Sequence, residues 1–278
     1  MKRLSQERSY FVAKDNQLIT KSRYSLSLRQ QRILLFLISR IKPTDEENTL
    51  YEFEIKDFIK ICGYEDTSGS YYPVIKRDIK ELADASSWLE VEKGKEILFR
   101  WINTAEINKR SGTIRISFHS SVARYLFELR ERYTQYSLSN VLCLTHKYSI
   151  RLYEYLTTMK YLQEFEIPIE ELKKRIDAEQ YTKFDDFRKR VLYPSLVEIN
   201  NMTDLFVEVF TRKTGRQITH LTFRYHEKTE YSYAMTMTLQ EAQLSPTKRK
   251  KAREQKAEME RRIEERRKRN EETDGGEA

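Results

Sequence analysis

At 278 residues, with 39% hydrophobic and 34% charged side chains, the chain has material for two modest domains and too little apolar content for one large core. Its 51 Lys and Arg against 43 Asp and Glu give a net charge of +8, a balance that suits polyanionic partners without requiring one. No apolar run approaches bilayer length, residues 1–16 (MKRLSQERSYFVAKDN) lack the apolar stretch of a secretory leader, and Cys62 and Cys143 lie too far apart for a metal motif. The expectation is a cytoplasmic protein with no membrane association, no metal site and no cofactor.

Residues 1–26 read as a polar N-terminal arm with a short strand around Tyr10-Phe11-Val12. Ser27 caps a helix from Leu28 to Ile41, with Ile33, Leu34, Leu37 and Ile41 inward. Leu50 to Ile55 alternates as a strand, and Lys56 to Cys62 is a short helix stopped by Gly63. A turn at Thr67-Ser68-Gly69-Ser70 leads to a helix that Pro73 opens and that runs to about Ala85. Trp88–Lys93, Glu96–Lys109 and Thr113–Phe118 read as a three-stranded meander, with turns at Lys93-Gly94-Lys95 and Arg110-Ser111-Gly112. Val122 to Tyr133 reads as an amphipathic helix connecting two domains. Thr145–Leu162 is a further helix, Phe165-Glu166-Ile167 a strand, and Ile169–Ile176 a short helix.

The most informative stretch is Tyr181 to His226. Phe187, Val191, Leu192, Leu196 and Ile199 fall at three- and four-residue spacings and share one helix face. Arg188, Lys189 and Arg190 crowd the other side, and Asp185 and Asp186 precede them as candidate caps. Asn200-Asn201 and Thr203-Asp204 break the helix. Leu205, Val207 and Val209 then alternate, a turn falls at Lys213-Thr214-Gly215-Arg216, and Leu221, Phe223 and Tyr225 complete a hairpin. A helix with a basic leading end followed by a hairpin with a basic tip is the outline of a winged helix, whose helix enters the major groove while the wing tracks the backbone.

The two halves repeat. Phe53-Glu54-Ile55 and Phe165-Glu166-Ile167 are the same strand core, and Val74, Ile75, Ile79 and Leu82 match Val191, Leu192, Leu196 and Ile199 in spacing. Each half ends in a hairpin, so duplication is expected, although small helical domains do reuse such patterns. Beyond residue 229 the composition changes. Residues 246–278 hold 12 Lys or Arg against 9 Asp or Glu, with only Met259 and Ile263 as large apolar residues. This tail cannot build a core and is expected to be a charged, helical or disordered appendage.

The run DFRKRVLYPSLVEIN followed by TRKTGRQITHLTFRY resembles the C-terminal winged-helix domain of the replication initiator (Rep) proteins of iteron-type plasmids. Phe187-Arg188-Lys189-Arg190, Glu198-Ile199-Asn200, Gly215-Arg216-Gln217 and Thr219-His220 carry the resemblance. Pro194 departs from it and is expected to kink the helix. The resemblance implies an α+β chain of two tandem winged-helix domains plus a charged C-terminal tail. The expected division is an arm over 1–26, a first domain over 27–119 for dimerisation and auxiliary DNA contacts, a connecting helix over 120–139, a second domain over 140–228 for the main DNA recognition, and a tail over 229–278. It also implies binding to repeated origin DNA, origin opening, recruitment of the host replication initiator or helicase machinery, and a homodimer in equilibrium with monomer that represses its own promoter.

The residues expected to touch DNA follow from charge and place. Lys183, Asp186, Lys189 and Arg190 are the base-side candidates, because Arg and Lys suit guanine and an acid accepts from cytosine. Arg188 suits a phosphate as well as a base, and Lys213 and Arg216 are placed on the backbone at the wing. In the first domain Tyr71, Tyr72, Lys76, Arg77 and Lys80 line the equivalent helix, diluted by Asp78 and Glu81. No enzyme chemistry is expected, for His119, His146, His220 and His226 are scattered and no phosphate loop of the GxxxxGK[ST] or GxGxxG type occurs. A repressor without replication function shares every basic feature, and a nicking-joining enzyme or a scaffold explains fewer of them.

Overall fold

The computed structural model describes residues 10–62, 71–127, 129–228 and 261, with only the backbone of 60–62. The Gly63 stop, the Thr67–Ser70 turn, the Cys62 side chain and the tail beyond 228, Arg261 aside, lie outside these residues. The chain forms two compact units, one of residues 1–161 and 169–179, the other of residues 162–168 and 180–278.

Unit 1 begins with β1 (Phe11–Asp15), antiparallel to β8 (Tyr133–Ser137) with Phe11 opposite Ser137. Asp15 then caps α1 (Asn16–Thr20), accepting from Gln17 N at 2.6 Å. Residues 10–26 are thus part of the fold and not a free arm, with Val12, Leu18 and Ile19 fully buried. After β2 (Ser22–Arg23), Ser27 and Gln30 form a reciprocal capping box on α2 (Leu28–Ile38). The helix ends three residues short of the expected Ile41. The Ser39 hydroxyl bonds Phe36 O at 2.7 Å, and Arg40 N turns to Leu37 O, tightening the last turn.

Next come β3 (Tyr51–Glu54), α3 (Ile55–Cys62) and α4 (Tyr71–Asp84). Phe36, Phe53 and Phe58 pack as three mutually touching rings with centroids 5.3–5.4 Å apart. The expected single meander is two sheets. β4 (Ser86–Glu92) and β5 (Lys95–Arg100) join β2, whereas β6 (Ile102–Asn108) and β7 (Thr113–Phe118) join β3. Trp101 splits the long middle strand, because its indole is fully buried edge-on between Tyr24 and Phe99, each 5.0 Å away.

The connecting helix expected over 120–139 is also absent. Among the described residues of that span, α5 (Ser120–Ala123) and the first two residues of a helix that starts at Leu138 are helical, and β8 precedes the latter. Val122, Ala123, Tyr125, Leu126 and Phe127 are all buried, with Arg124 alone exposed among residues 122–127. The segment tightens into three-residue turns instead, with Tyr125 N to Val122 O and Leu126 N to Ala123 O both at 2.9 Å. Arg132, at φ 54°, then redirects the chain into β8.

Then follow α6 (Leu138–Leu142), α7 (Lys147–Met159) and, past the boundary strand, α8 (Ile169–Arg175). The expected domain boundary therefore falls inside unit 1, because α7 carries part of its polar core. Glu154 pairs with Lys14, accepts from the Tyr136 hydroxyl and lies 3.8 Å from Arg151. Arg151 stacks over Tyr24 at 3.9 Å and donates to Ser22 O and Arg175 O. Lys14, Arg151 and Glu154 are all at most 3% exposed. Burial, followed by the charge of Glu154 and its hydrogen bond, pushes the Tyr136 phenol well above its ordinary range.

Unit 2 is a helix on a three-stranded sheet. β9 (Glu164–Pro168) pairs with β11 (Gln217–Tyr225), which pairs with β10 (Val207–Thr214). The helical run comprises α9 (Phe184–Phe187), a π-turn over Arg188–Leu192, and α10 (Tyr193–Met202). Phe187, Val191, Leu192, Leu196 and Ile199 all sit at 0% exposure, the face their spacing predicted. Asn200 does not break the helix. Its side chain is buried and bonds both polar groups of Val207, at 2.9 Å and 3.0 Å, which fixes β10 to α10. Thr203 ends the run by bonding Ile199 O at 2.8 Å and receiving Leu205 N at 3.2 Å.

The repeat extends to topology. In unit 1 the strand carrying Phe53 pairs with β7, the second strand of its hairpin, in the order β3-β7-β6. In unit 2 the strand carrying Phe165 pairs with β11 in the same relation, β9-β11-β10.

Candidate nucleic-acid interface

The leading end of the unit 2 helical run holds the cations the sequence singled out. Lys183 is the residue before α9, and Lys189 and Arg190 lie in the π-turn. All three are exposed, and among the described residues none is in an ion pair. Proline supplies no backbone N–H, so Pro194 cannot close the usual bond to Arg190 O. The chain meets that loss with the wider π-turn just ahead, and Pro194 sits in the first turn of α10, where its donor is not needed. Asp186 is half-buried beside this end.

Arg188 behaves differently from its neighbours. Its Nη2 lies 2.8 Å from Asp185 Oδ1, and its guanidinium lies 6.0 Å from the Phe184 ring and 5.7 Å from the Tyr193 ring.

The wing presents Lys213 and Arg216, both exposed, at the tip of the β10–β11 hairpin. A two-residue turn joins the strands, with Gly215 at φ 62°, a conformation that glycine adopts without penalty. Arg212, next along β10, is turned across the sheet instead, bonding both oxygens of Glu166 at 2.6 Å and 2.8 Å. That bond holds the Glu166 carboxyl below its ordinary range and raises Arg212.

In unit 1 the dilution expected from sequence has a structural form. Asp78 is buried against Arg29 at 2.7 Å, Arg77 lies 3.7 Å from Asp78 and 3.8 Å from Glu81, and Lys80 bonds Asp84 at 2.5 Å. Lys76 is exposed and makes no ion pair among the described residues. Tyr71 and Tyr72 are half-buried at the start of α4. The β6–β7 tip supplies cations not anticipated as site residues, the exposed Lys109 and Arg110. The Lys109 ammonium lies 5.2 Å from the Tyr72 ring, which ties the hairpin tip to the start of α4. The signal was present, because Lys109-Arg110-Ser111-Gly112 repeats the pattern of Arg212-Lys213-Thr214-Gly215.

Each unit thus carries both a helix leading end and a basic hairpin tip. Two family models match this chain, "Initiator Replication protein, WH1" over residues 11–157 and "Initiator Rep protein, WH2" over residues 168–225. The chain belongs to the Rep family of replication initiators. It carries both winged-helix domains of that family. A "Replication initiation protein" of Escherichia coli is 27% identical over 225 residues, covering 77% of this chain and 68% of the relative. An uncharacterised 27.6 kDa protein, also of Escherichia coli, is 23% identical over 220 residues, covering 74% and 91%. Among solved structures, the Pi initiator protein in complex with iteron DNA is similar in fold, with a TM-score of 0.65, 19% identity, and coverage of 80% of this chain and 98% of that one.

Proposed function

We propose that this Rep protein starts replication by binding repeated origin DNA, with Lys183, Asp186, Lys189 and Arg190 reading base edges and Lys213 and Arg216 holding the backbone. The observation that carries the reading is the combination, in unit 2, of a helix end and a hairpin tip at which Lys183, Lys189, Arg190, Lys213 and Arg216 are exposed and, among the described residues, unclaimed by acids. Arg and Lys in that state match phosphate and guanine without first breaking an internal pair. Unit 1 contributes Lys76, Lys109, Arg110 and the half-buried Tyr71 and Tyr72, mostly to phosphates. Arg77 and Lys80, already paired, contribute less than their charge suggests. Similarity to an initiator whose structure contains iteron DNA supports the same class of ligand for this chain.

The chain acts without catalytic chemistry of its own, opening the origin through binding and passing it to the host replication initiator or helicase machinery. Dimerisation through unit 1 switches it to repressing its own promoter. The exposed edge of β5 suits that contact. Paired antiparallel to a second copy about Leu98, β5 would set Glu96 opposite Arg100 on both sides of two exposed leucines, with Trp88 directly beside each.

Footprinting of the full chain on the DNA flanking its coding sequence tests the reading. Regularly spaced protection of direct repeats, one chain per repeat, is expected. Occupancy only of a single inverted repeat by two chains would replace initiation with repression alone.

A further inference from the structure

We infer that Arg188 is a positioning residue that aims Lys189 and Arg190, and not a phosphate contact. The inference rests on the DNA-binding reading above and assigns to Asp185 and Arg188 a role in its specificity.

Three observations converge on this pair. Arg188 stands at the first position of the π-turn, the one irregularity in the helical run, immediately before the two exposed cations. Its charge is already met by Asp185 at 2.8 Å, and its guanidinium is bracketed by Phe184 on the preceding turn and Tyr193 on the following one. Its Nε is buried and meets no hydrogen-bond acceptor, so this nitrogen, too, has no outward role. Arg188 therefore joins α9 to α10 across the place where the regular hydrogen-bond ladder is widened.

The geometric consequence falls on its neighbours. One extra residue in a turn rotates everything after it by roughly 100°, a little over a quarter of a revolution, relative to a continuous helix. The π-turn thereby decides where Lys189 and Arg190 point while Val191 and Leu192 stay at 0% exposure. A planar guanidinium can both pair with a carboxylate and lie against rings, which a lysine ammonium does only as a point charge. A phosphate contact has no need of Asp185, whose negative charge would oppose it.

The test uses the full chain and the duplex it selects from a random pool two helical turns long. The parent, Asp185→Asn, Arg188→Lys and Arg188→Gln are compared on that duplex and on a scrambled one across a salt series. Positioning predicts that all three variants lose about tenfold or more in the ratio of specific to scrambled affinity, the loss expected of one displaced base contact. It also predicts that the salt slope stays at the parent value, because no phosphate contact is removed. Overturning results are a slope shallower by about one for Arg188→Gln with Arg188→Lys unchanged, or Asp185→Asn keeping the parent ratio, since either marks Arg188 as a phosphate ligand or a bystander. Circular dichroism melting of each variant separates loss of aim from loss of fold, and Asp185→Asn carries the test if the arginine variants unfold. A parent that selects no duplex overturns the DNA reading itself, whereas a selective parent with selective variants overturns only the positioning role.

Discussion

The dependence of DNA binding on salt can be worked from the ion pairs. Eleven basic side chains lie on the helix leads and hairpin tips described above, and three are committed to acids. Arg77 faces Asp78 and Glu81, Lys80 bonds Asp84, and Arg188 bonds Asp185. Lys76, Lys109, Arg110, Lys183, Lys189, Arg190, Lys213 and Arg216 remain. With Lys183, Lys189 and Arg190 on base edges, five are left for phosphates. Each neutralised phosphate contributes about −0.9 to the slope of log K against log salt, which gives a slope near −4.5. Affinity should then fall about 500-fold between 50 and 200 mM salt. Fluorescence anisotropy on a labelled origin duplex measures this directly. Replacing Lys213 and Arg216 together by Ala should remove about 2 from the slope with little change in sequence preference. A parent slope shallower than about −2, or a double variant with the parent slope, would refute the assignment of the wing to the backbone.

Replacing Arg190 by Ala should cost about 1–3 kcal/mol on specific DNA and less on scrambled DNA, as read by competition binding; equal losses would move it to the backbone class. Glu154→Gln should destabilise unit 1 by about 3–5 kcal/mol in urea unfolding, because Lys14 and Arg151 would stay buried without their carboxylate. The Glu166–Arg212 bond should open in acid. Glu166 is held below its ordinary value in the fold, so the contribution is present above the unfolded-state value near pH 4 and is lost as pH falls through the lower folded one. The Arg212 Nε resonance should move over that acid range and stay put in Glu166→Gln.

Much of unit 2 was legible because its signals are local. Apolar spacing from Phe187 to Ile199 and alternation about Gly215 each specify an element without distant partners. The Ser27 cap was readable for the same reason. What escaped depends on burial that no local pattern reports. Trp101 splits a strand because Tyr24, far away in sequence, waits for its ring. The segment after His119 has helical spacing, yet five of the six residues 122–127 are buried and it coils into turns. Of the site, the clusters at the helix end and wing were visible as charge runs. Charge alone could not distinguish Lys189, which is exposed, from Arg188, which Asp185 and two rings hold. The β6–β7 tip was hidden only by its shorter run of cations, and the repeat uncovers it.

The chain crosses between the two units three times, at 161/162, 168/169 and 179/180, so unit 2 keeps a seven-residue loan from upstream. No single scission yields both halves whole. A fragment starting at residue 180 would lack β9, hence the Phe165 ring stacked 5.3 Å from Phe223 and the Glu164 and Glu166 partners of Arg224 and Arg212. Its hairpin would expose a bare apolar margin. A cut before Leu162 therefore keeps unit 2 whole but takes α8 from unit 1, whereas a cut between 169 and 180 takes β9 from unit 2.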